Sequence, residues 1–186
     1  MVYYRIKKKH PLWILQMRTN KIIVLPYDKA WKSDFEKIKN EIEDCIGNLI
    51  VCVEHVGSTS VEGMSAKPCI DIDVVIKDYS IFDSVKNKLG AIGYIHEGDL
   101  GIKDREAFKY SGKPHLQHHH LYVCPQYSKE LLRHITFRDF LRNHPDAVKK
   151  YSSVKDAAAQ LFPNDIDAYI QYKSPCIEEL YMQCGL

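Results

Sequence analysis

The sequence predicts an α/β chain of the α+β type, a mixed sheet flanked by helices with a helical C-terminal third. Three observations lead there. Its 186 residues are 45% hydrophobic and 27% charged, close to ordinary globular chains and far from collagen-like, low-complexity or disordered ones. The first half carries short β-branched runs bounded by glycine and proline, whereas the last third carries only helical periodicity. Strands followed by a block of helices argue for a layered sheet-and-helix architecture, and the length suits one domain.

Residues 1–20 have no clear period and are expected to form an N-terminal extension, with a single domain over residues 21–186. In the extension, Arg5 to His10 reads as a solvated basic tail, and Pro11 to Leu15 is too short an apolar run for a signal sequence or a membrane span. Ile22 to Leu25 is a short β-branched run closed by Pro26. Asp28 then caps a helix whose Trp31, Phe35, Ile38, Ile42 and Cys45 recur every three to four positions up to Gly47. Leu49 to Val56 reads as a strand running into the Gly57-Ser58-Thr59-Ser60 turn. Cys69 to Ile76 reads as a second strand, in which Ile70, Ile72 and Val74 alternate with Asp71 and Asp73, so both carboxylates share one face.

Ile81 to Leu89, stopped by Gly90, is expected as a crossover helix. Tyr94 to His96 and Arg105 to Tyr110 read as short strands around a Gly98 to Gly101 turn, and His118 to Cys124 as a further strand. Beyond Pro125 the spacing predicts helices near 128–143, 145–162 and 166–184, with Pro145 and Pro175 in first helical turns. Their apolar stripes are expected to pack a core rather than touch a ligand.

Charge and cysteine usage narrow the partners. Twenty-six Lys and Arg against 24 Asp and Glu leave +2, too balanced for a counterion-releasing surface, so polymeric nucleic acid is not an expected partner. The six cysteines stand at 45, 52, 69, 124, 176 and 184 without a C-x-x-C pair. They read as small buried hydrophobes rather than metal ligands or a disulfide frame. The expected compartment is the reducing cytoplasm, with no membrane partner.

The residues with chemical potential are the turn and the aspartate strand. Backbone N–H groups and hydroxyls of Ser58, Thr59 and Ser60 can hold phosphate oxygens, because a small-residue turn admits close approach of an anion. Asp71 and Asp73 can jointly hold a divalent cation that bridges such phosphates. A Gly-Ser turn alone suits many structural roles. Two carboxylates facing one way repel, however, and require a cation, a proton or a basic partner.

The run from Glu54-His55-Val56-Gly57-Ser58-Thr59-Ser60 through Lys67-Pro68-Cys69-Ile70-Asp71-Ile72-Asp73 resembles the signature of the GrpB family, whose members belong to the nucleotidyltransferase superfamily with a DNA polymerase β-like fold. Pro26-Tyr27-Asp28 with Trp31 and Phe35, His120-Leu121-Tyr122-Val123, Phe137 to Arg142 and His144-Pro145 extend the resemblance over roughly residues 22–184. It implies that Gly57 and Ser58 lie at a phosphate-holding turn and that Asp71 and Asp73 bind metal. It also implies a third carboxylate on a neighbouring strand, but the equivalent strand here reads His118-His119-His120-Leu121-Tyr122-Val123, without an acid. Strand alternation places His120 beside the aspartates. Family members commonly carry a second histidine where Tyr122 stands, so this chain departs from a two-histidine site. Glu54 is the other residue that could supply a missing ligand or base, or else form a salt bridge.

Two carboxylates favour Mg²⁺ or Mn²⁺, and an added imidazole shifts preference toward Mn²⁺, Zn²⁺ or Fe²⁺. His55 either hydrogen-bonds the loop or a substrate, or is a satisfied strand histidine. Lys67 either offsets phosphate charge or is solvated. Arg105 and Arg138 either grip phosphate through their planar forks or pair with acids such as Glu106 and Asp139. The leading expectation is a metal-dependent nucleotidyltransferase acting from a nucleoside triphosphate on an unidentified acceptor. Its rivals are a nucleotide- or CoA-binding module without activity, motivated by the absent third acid, and a transition-metal hydrolase built on Asp71, Asp73 and His120.

Overall fold

Helix α1 (Ala30–Ile46) forms where Trp31, Phe35, Ile38 and Ile42 line one side, and all four are buried. Ile46, fully buried, ends the stripe where Cys45 was expected to. Asp28 Oδ1 accepts the Ala30 N–H at 2.8 Å at the entry to the helix. In the computed structural model, which describes residues 21–186, a 3₁₀ turn over Gly47–Leu49 follows α1. That turn consumes the start of the expected strand, so β1 is Cys52–Val56. The expected extension over residues 1–20 lies outside the described residues.

Strands β2 (Ile70–Ile76), β3 (Tyr94–Gly98), β4 (Glu106–Tyr110) and β5 (His119–Pro125) join β1 in one sheet of order β1-β2-β5-β4-β3. Only β2 and β5 pair in parallel. Helix α2 (Phe82–Ala91) carries the chain from β2 to the far edge, the β3–β4 pair returns it, and β5 inserts beside β2. Register sets Asp71 opposite His120 and Asp73 opposite Tyr122, while Glu54 lies opposite Asp73 on the other side.

The sheet is covered on both faces. Ile70, Ile72, Val74, Leu121 and Val123 face α1 and α2 and form the main core with Ile38, Ile42, Val85 and Leu89. The opposite face carries Asp71, Asp73, Val75, His120, Tyr122 and Cys124. Its apolar end, Val75 and Cys124, packs against Leu131 and Ile135 of α3 (Lys129–Asn143). Helix α3 lies over this face, so the two carboxylates on it are covered by a helix as well as flanked by strands.

Helices α4 (Pro145–Leu161) and α5 (Ile166–Gln183) complete the C-terminal third. Ser128 and Asp165 cap α3 and α5 by accepting the N–H groups of Leu131 and Ala168, and Pro145 opens α4. Pro175 does not stand in a first turn; it lies inside α5. Proline there removes the N–H that would serve the Gln171 carbonyl, a loss softened because both residues are exposed to water. Val61 and Met64, just past the Gly57 turn, bury themselves among Leu141, Val148, Tyr151 and Leu180. This cluster docks the helical third onto the turn and closes a cleft between them. Among the described residues no helix is long and apolar enough to cross a membrane.

Candidate functional site at the glycine turn and the aspartate strand

Gly57 turns the chain at φ +69° and ψ −173°, a region essentially reserved for glycine. The reason is visible beside it. A β-carbon at this position would stand 2.1 Å from Asp71 Oδ2 and 2.9 Å from Asp71 Cβ, so the turn and the aspartate can approach only without a side chain there. Ser60 Oγ donates to the Gly57 carbonyl at 2.6 Å, and Arg142 of α3 donates to the Ser60 carbonyl at 2.9 and 3.1 Å.

Ser58 meets a lysine that sequence reasoning missed. Lys155 of α4 is only 2% exposed, and its Nζ donates to Ser58 Oγ at 2.9 Å. Burial, and then the neighbouring Lys173 charge, hold its pKa well below that of a free lysine. Lys173 of α5 is pushed down to about 8 by burial and by Lys67. Ser58, Lys67, Asp71, His120, Arg133, Lys155 and Lys173 all line one cleft of about 380 Å³. Lys155 and Lys173 thus each bear their positive charge at a cost, set first by burial and then by a neighbouring lysine.

Thr59 and His55 serve the turn rather than the cleft's charge. His55 Nε2 and Thr59 Oγ1 are 3.0 Å apart, Thr59 Oγ1 donates to the Cys69 carbonyl at 3.4 Å, and the His55 ring stacks on Phe35 at 4.6 Å. Burial drives the His55 pKa down to about 4, so its ring is neutral in the folded chain.

The two aspartates, though on one face, occupy different environments. Asp71 opens to the cleft and accepts from His120 Nδ1 at 2.9 Å. Burial opposes its charge, but this bond and the charges of His120, His134 and Lys67 hold its pKa below the usual value. Asp73 is wholly buried. Its Oδ2 lies 2.7 Å from Nδ1 of His134, a residue of α3 that the sequence reading passed over, and His134 Nε2 lies 3.2 Å from Glu130. Burial opposes charge on His134, yet Asp73 and Glu130 raise its pKa to about 9. Glu130 itself, despite burial, is lowered to about 2 by His134 and Arg133. The basic partner required by two adjacent carboxylates therefore comes from a helix.

Glu54 shares the face of Asp73 but pairs with Arg138 at 2.6 Å, and Arg138 also reaches Asp139 and the His55 carbonyl. Arg105 does not pair with Glu106. It stacks 4.3 Å over Tyr122 and lies 3.8 Å from Glu130, because Tyr122 points to the α3 side while Glu106 bonds His96 and Tyr79. Lys67 lines the cleft wall.

Of the six cysteines expected to be buried hydrophobes, Cys124 and Cys176 are buried, whereas Cys45, Cys52, Cys69 and Cys184 are half-buried, and Cys69 stands with Asp71 and His120, their possible ligand atoms all within 4.8 Å of one another. It precedes β2 by one residue, which brings it level with the histidines that open β5.

A divalent cation, implied at Asp71 and Asp73 by the family resemblance, finds suitable donors. Asp73 Oδ1 is buried with no hydrogen-bond partner among the described residues, and an orphaned anionic oxygen is what a cation satisfies. Asp71 adds a carboxylate at the cleft.

Comparison with known proteins agrees with this architecture. The profile of the family described as "GrpB protein" matches residues 21–183. The chain is 30% identical over 170 residues to the glutamate-rich protein GrpB of Alkalihalophilus pseudofirmus, covering 90% of this chain and 98% of that one. It is 32% identical over 158 residues to UPF0157 protein YqkA of Bacillus subtilis, covering 85% of this chain but only 46% of that protein, so it spans about half of that relative's length. The crystal structure of the conserved protein GrpB from Enterococcus faecalis superposes with a TM-score of 0.73 at 30% identity, covering 87% of this chain and 98% of that one.

Proposed function

The chain belongs to the GrpB family, and we propose that it binds a nucleoside triphosphate in the cleft beside the Gly57 turn and transfers the nucleotidyl group to an acceptor. The observation that carries the reading is the buried Lys155 on Ser58, with Lys173 and Lys67 beside it and Asp71 facing them. Three lysines gathered on one cleft, two of them with pKa values lowered by burial, call for a ligand with several negative charges in a row, and a polyphosphate has them. CoA, through its own phosphates, meets the same requirement.

Ser58, Lys155 and Lys173 hold the phosphates, and Lys67 offsets charge at the cleft wall. Asp71, with its carboxylate steadied by His120, and Asp73 through Oδ1 would hold a divalent cation, Mg²⁺ or Mn²⁺ by their oxygen donors, which would supply neutralisation of phosphate charge. Gly57 admits Asp71 to the turn. The acceptor oxygen bonds to the α-phosphorus, the bond from that phosphorus to the bridging oxygen breaks, pyrophosphate leaves, and the acceptor's proton passes to water in the open cleft. Glu54 and Arg138 hold each other and the β1 end of the turn, and Arg105 packs Tyr122; both arginines also line an adjoining cavity of about 260 Å³ whose walls include Ser58, Asp71 and Lys173.

A second reading, binding without transfer, is favoured by one observation. His134 already neutralises Asp73, which leaves Asp71 as the carboxylate at the cleft. A thermal-shift panel of nucleoside triphosphates and CoA with Mg²⁺ or Mn²⁺, on the wild type, Asp71→Asn and Lys155→Met, separates these outcomes. Stabilisation by a nucleotide that is lost in Lys155→Met supports the site, and pyrophosphate release that is lost in Asp71→Asn supports transfer. Wild-type response retained in Lys155→Met refutes the site, and binding without pyrophosphate across a panel of acceptors selects the second reading.

A further inference from the structure

Cys69 and His118 take no part in the nucleotide reading, yet the fold brings them to the edge of Asp71 and His120. Two hydrogen bonds set the placement. Ile70 donates its N–H to the His118 carbonyl at 2.9 Å, and Gln117 Nε2 donates to the Pro68 carbonyl at 2.7 Å. The two chain segments entering β2 and β5 are thereby clasped side by side, one residue before the register that puts Asp71 opposite His120. Cys69 Sγ lies 3.1 Å from His118 Nδ1 and 3.5 Å from His120 Nδ1, and His120 Nδ1 lies 2.9 Å from Asp71 Oδ1.

Those separations have a chemical meaning. Zinc with Zn–S of about 2.3 Å and Zn–N or Zn–O of about 2.0–2.1 Å sets its ligands roughly 3.3–3.6 Å apart around a tetrahedron. Here the Cys69 Sγ–His120 Nδ1 separation of 3.5 Å already has that spacing. The His120–Asp71 and Cys69–His118 separations of 2.9 and 3.1 Å are hydrogen-bond distances a few tenths of an ångström short of it, and ligand atoms of Cys69, Asp71 and His120 all lie within 4.8 Å of one another. Thiolate and imidazole donors also select against Mg²⁺, which demands oxygen ligands in octahedral array. We infer that Cys69, Asp71 and His120 form a transition-metal site of the Zn²⁺ class, with the exposed His118 ring as the donor poised to close its fourth position. The site shares Asp71 with the nucleotide cleft and does not depend on nucleotide transfer. With Asp71 Oδ1 turned to this metal and Oδ2 to the Gly57 turn, the carboxylate stands between the metal and the phosphate cradle.

The test uses the full chain, purified without chelator in a phosphine reductant, and titrated with Co²⁺ as a spectroscopic stand-in for Zn²⁺. The expected result is one equivalent of Co²⁺ per chain with a near-ultraviolet thiolate-to-cobalt charge-transfer band and visible bands of tetrahedral intensity, all displaced by Zn²⁺. Cys69→Ser loses the charge-transfer band and weakens Zn²⁺ binding by more than about 10- to 100-fold, the cost of losing only an outer-shell partner. His120→Gln, with Cys69 intact, lowers affinity as well and guards against a folding failure in the first variant. Cobalt bound without a thiolate band, or a band that survives Cys69→Ser, overturns the inference. Nucleotide stabilisation with Mg²⁺, measured on the same Cys69→Ser protein, reports on the cleft separately, so either reading can fail without the other.

Discussion

Replacing Gly57 by alanine puts the geometry of the turn to its hardest test. The backbone there is at φ +69° and ψ −173°, and a non-glycine residue held in that region costs on the order of 1–3 kcal/mol. The added methyl also meets Asp71 Oδ2 at 2.1 Å and its Cβ and Cγ at 2.9 Å. These atoms belong to a short side chain on a central strand, so relief requires moving the carboxylate off His120 or moving the turn, and overpacking of this type costs about 1–3 kcal/mol more. Gly57→Ala should therefore lose about 2–6 kcal/mol, a large fraction of the total for a domain of this size. Urea unfolding followed by circular dichroism measures it, with the midpoint shifting and the slope unchanged. The two contributions separate in a double-mutant cycle with Asp71→Ala. That background removes the carboxylate but not the backbone strain, so the glycine substitution should cost less there, with the remaining 2.9 Å contact to Cβ setting a floor. An equal loss in both backgrounds, or a loss under about 0.5 kcal/mol in the wild type, would refute the account of why glycine stands at this position.

Two further predictions concern charge. His134→Ala leaves Asp73 buried without its cation and should destabilise the chain by about 3–5 kcal/mol, whereas adding Asp73→Asn should recover much of that loss in the same urea experiment; no recovery would mean the pair's role is packing alone. Lys173 has its pKa lowered to about 8, and a bound polyphosphate raises it, so nucleotide binding at pH 8 should take up protons. Affinity should then weaken as pH rises above 8, where the neutral amine must be protonated at growing cost. Calorimetry in two buffers of different ionisation enthalpy reads the uptake directly, and a Lys173→Met variant should show less of it.

What the amino-acid sequence determined by itself is what depends on local pattern. The apolar spacing of α1, the alternation in Ile70 to Val74 and the helical periods after Pro125 each specify one element and one face, because burying a stripe or a pleat face is a nearest-neighbour requirement. Gly57-Ser58 and the aspartate strand were legible for the same reason, as was the placement of His120 beside Asp71. The residues that tertiary structure supplied had no such signature. Glu130, His134 and Arg138 recur every four positions and so share one face of α3, but a polar stripe reads as a solvated surface until the helix is known to lie on the sheet. Lys155 and Lys173 belong to different helices, and nothing along the chain announces that both turn toward Ser58. Cys69 looked like a small hydrophobe because its partners, His118 and His120, are some fifty positions away. Charge interactions of this type act through space at a few ångströms, and only the docking of Val61 and Met64 into the helical third decides which charges meet.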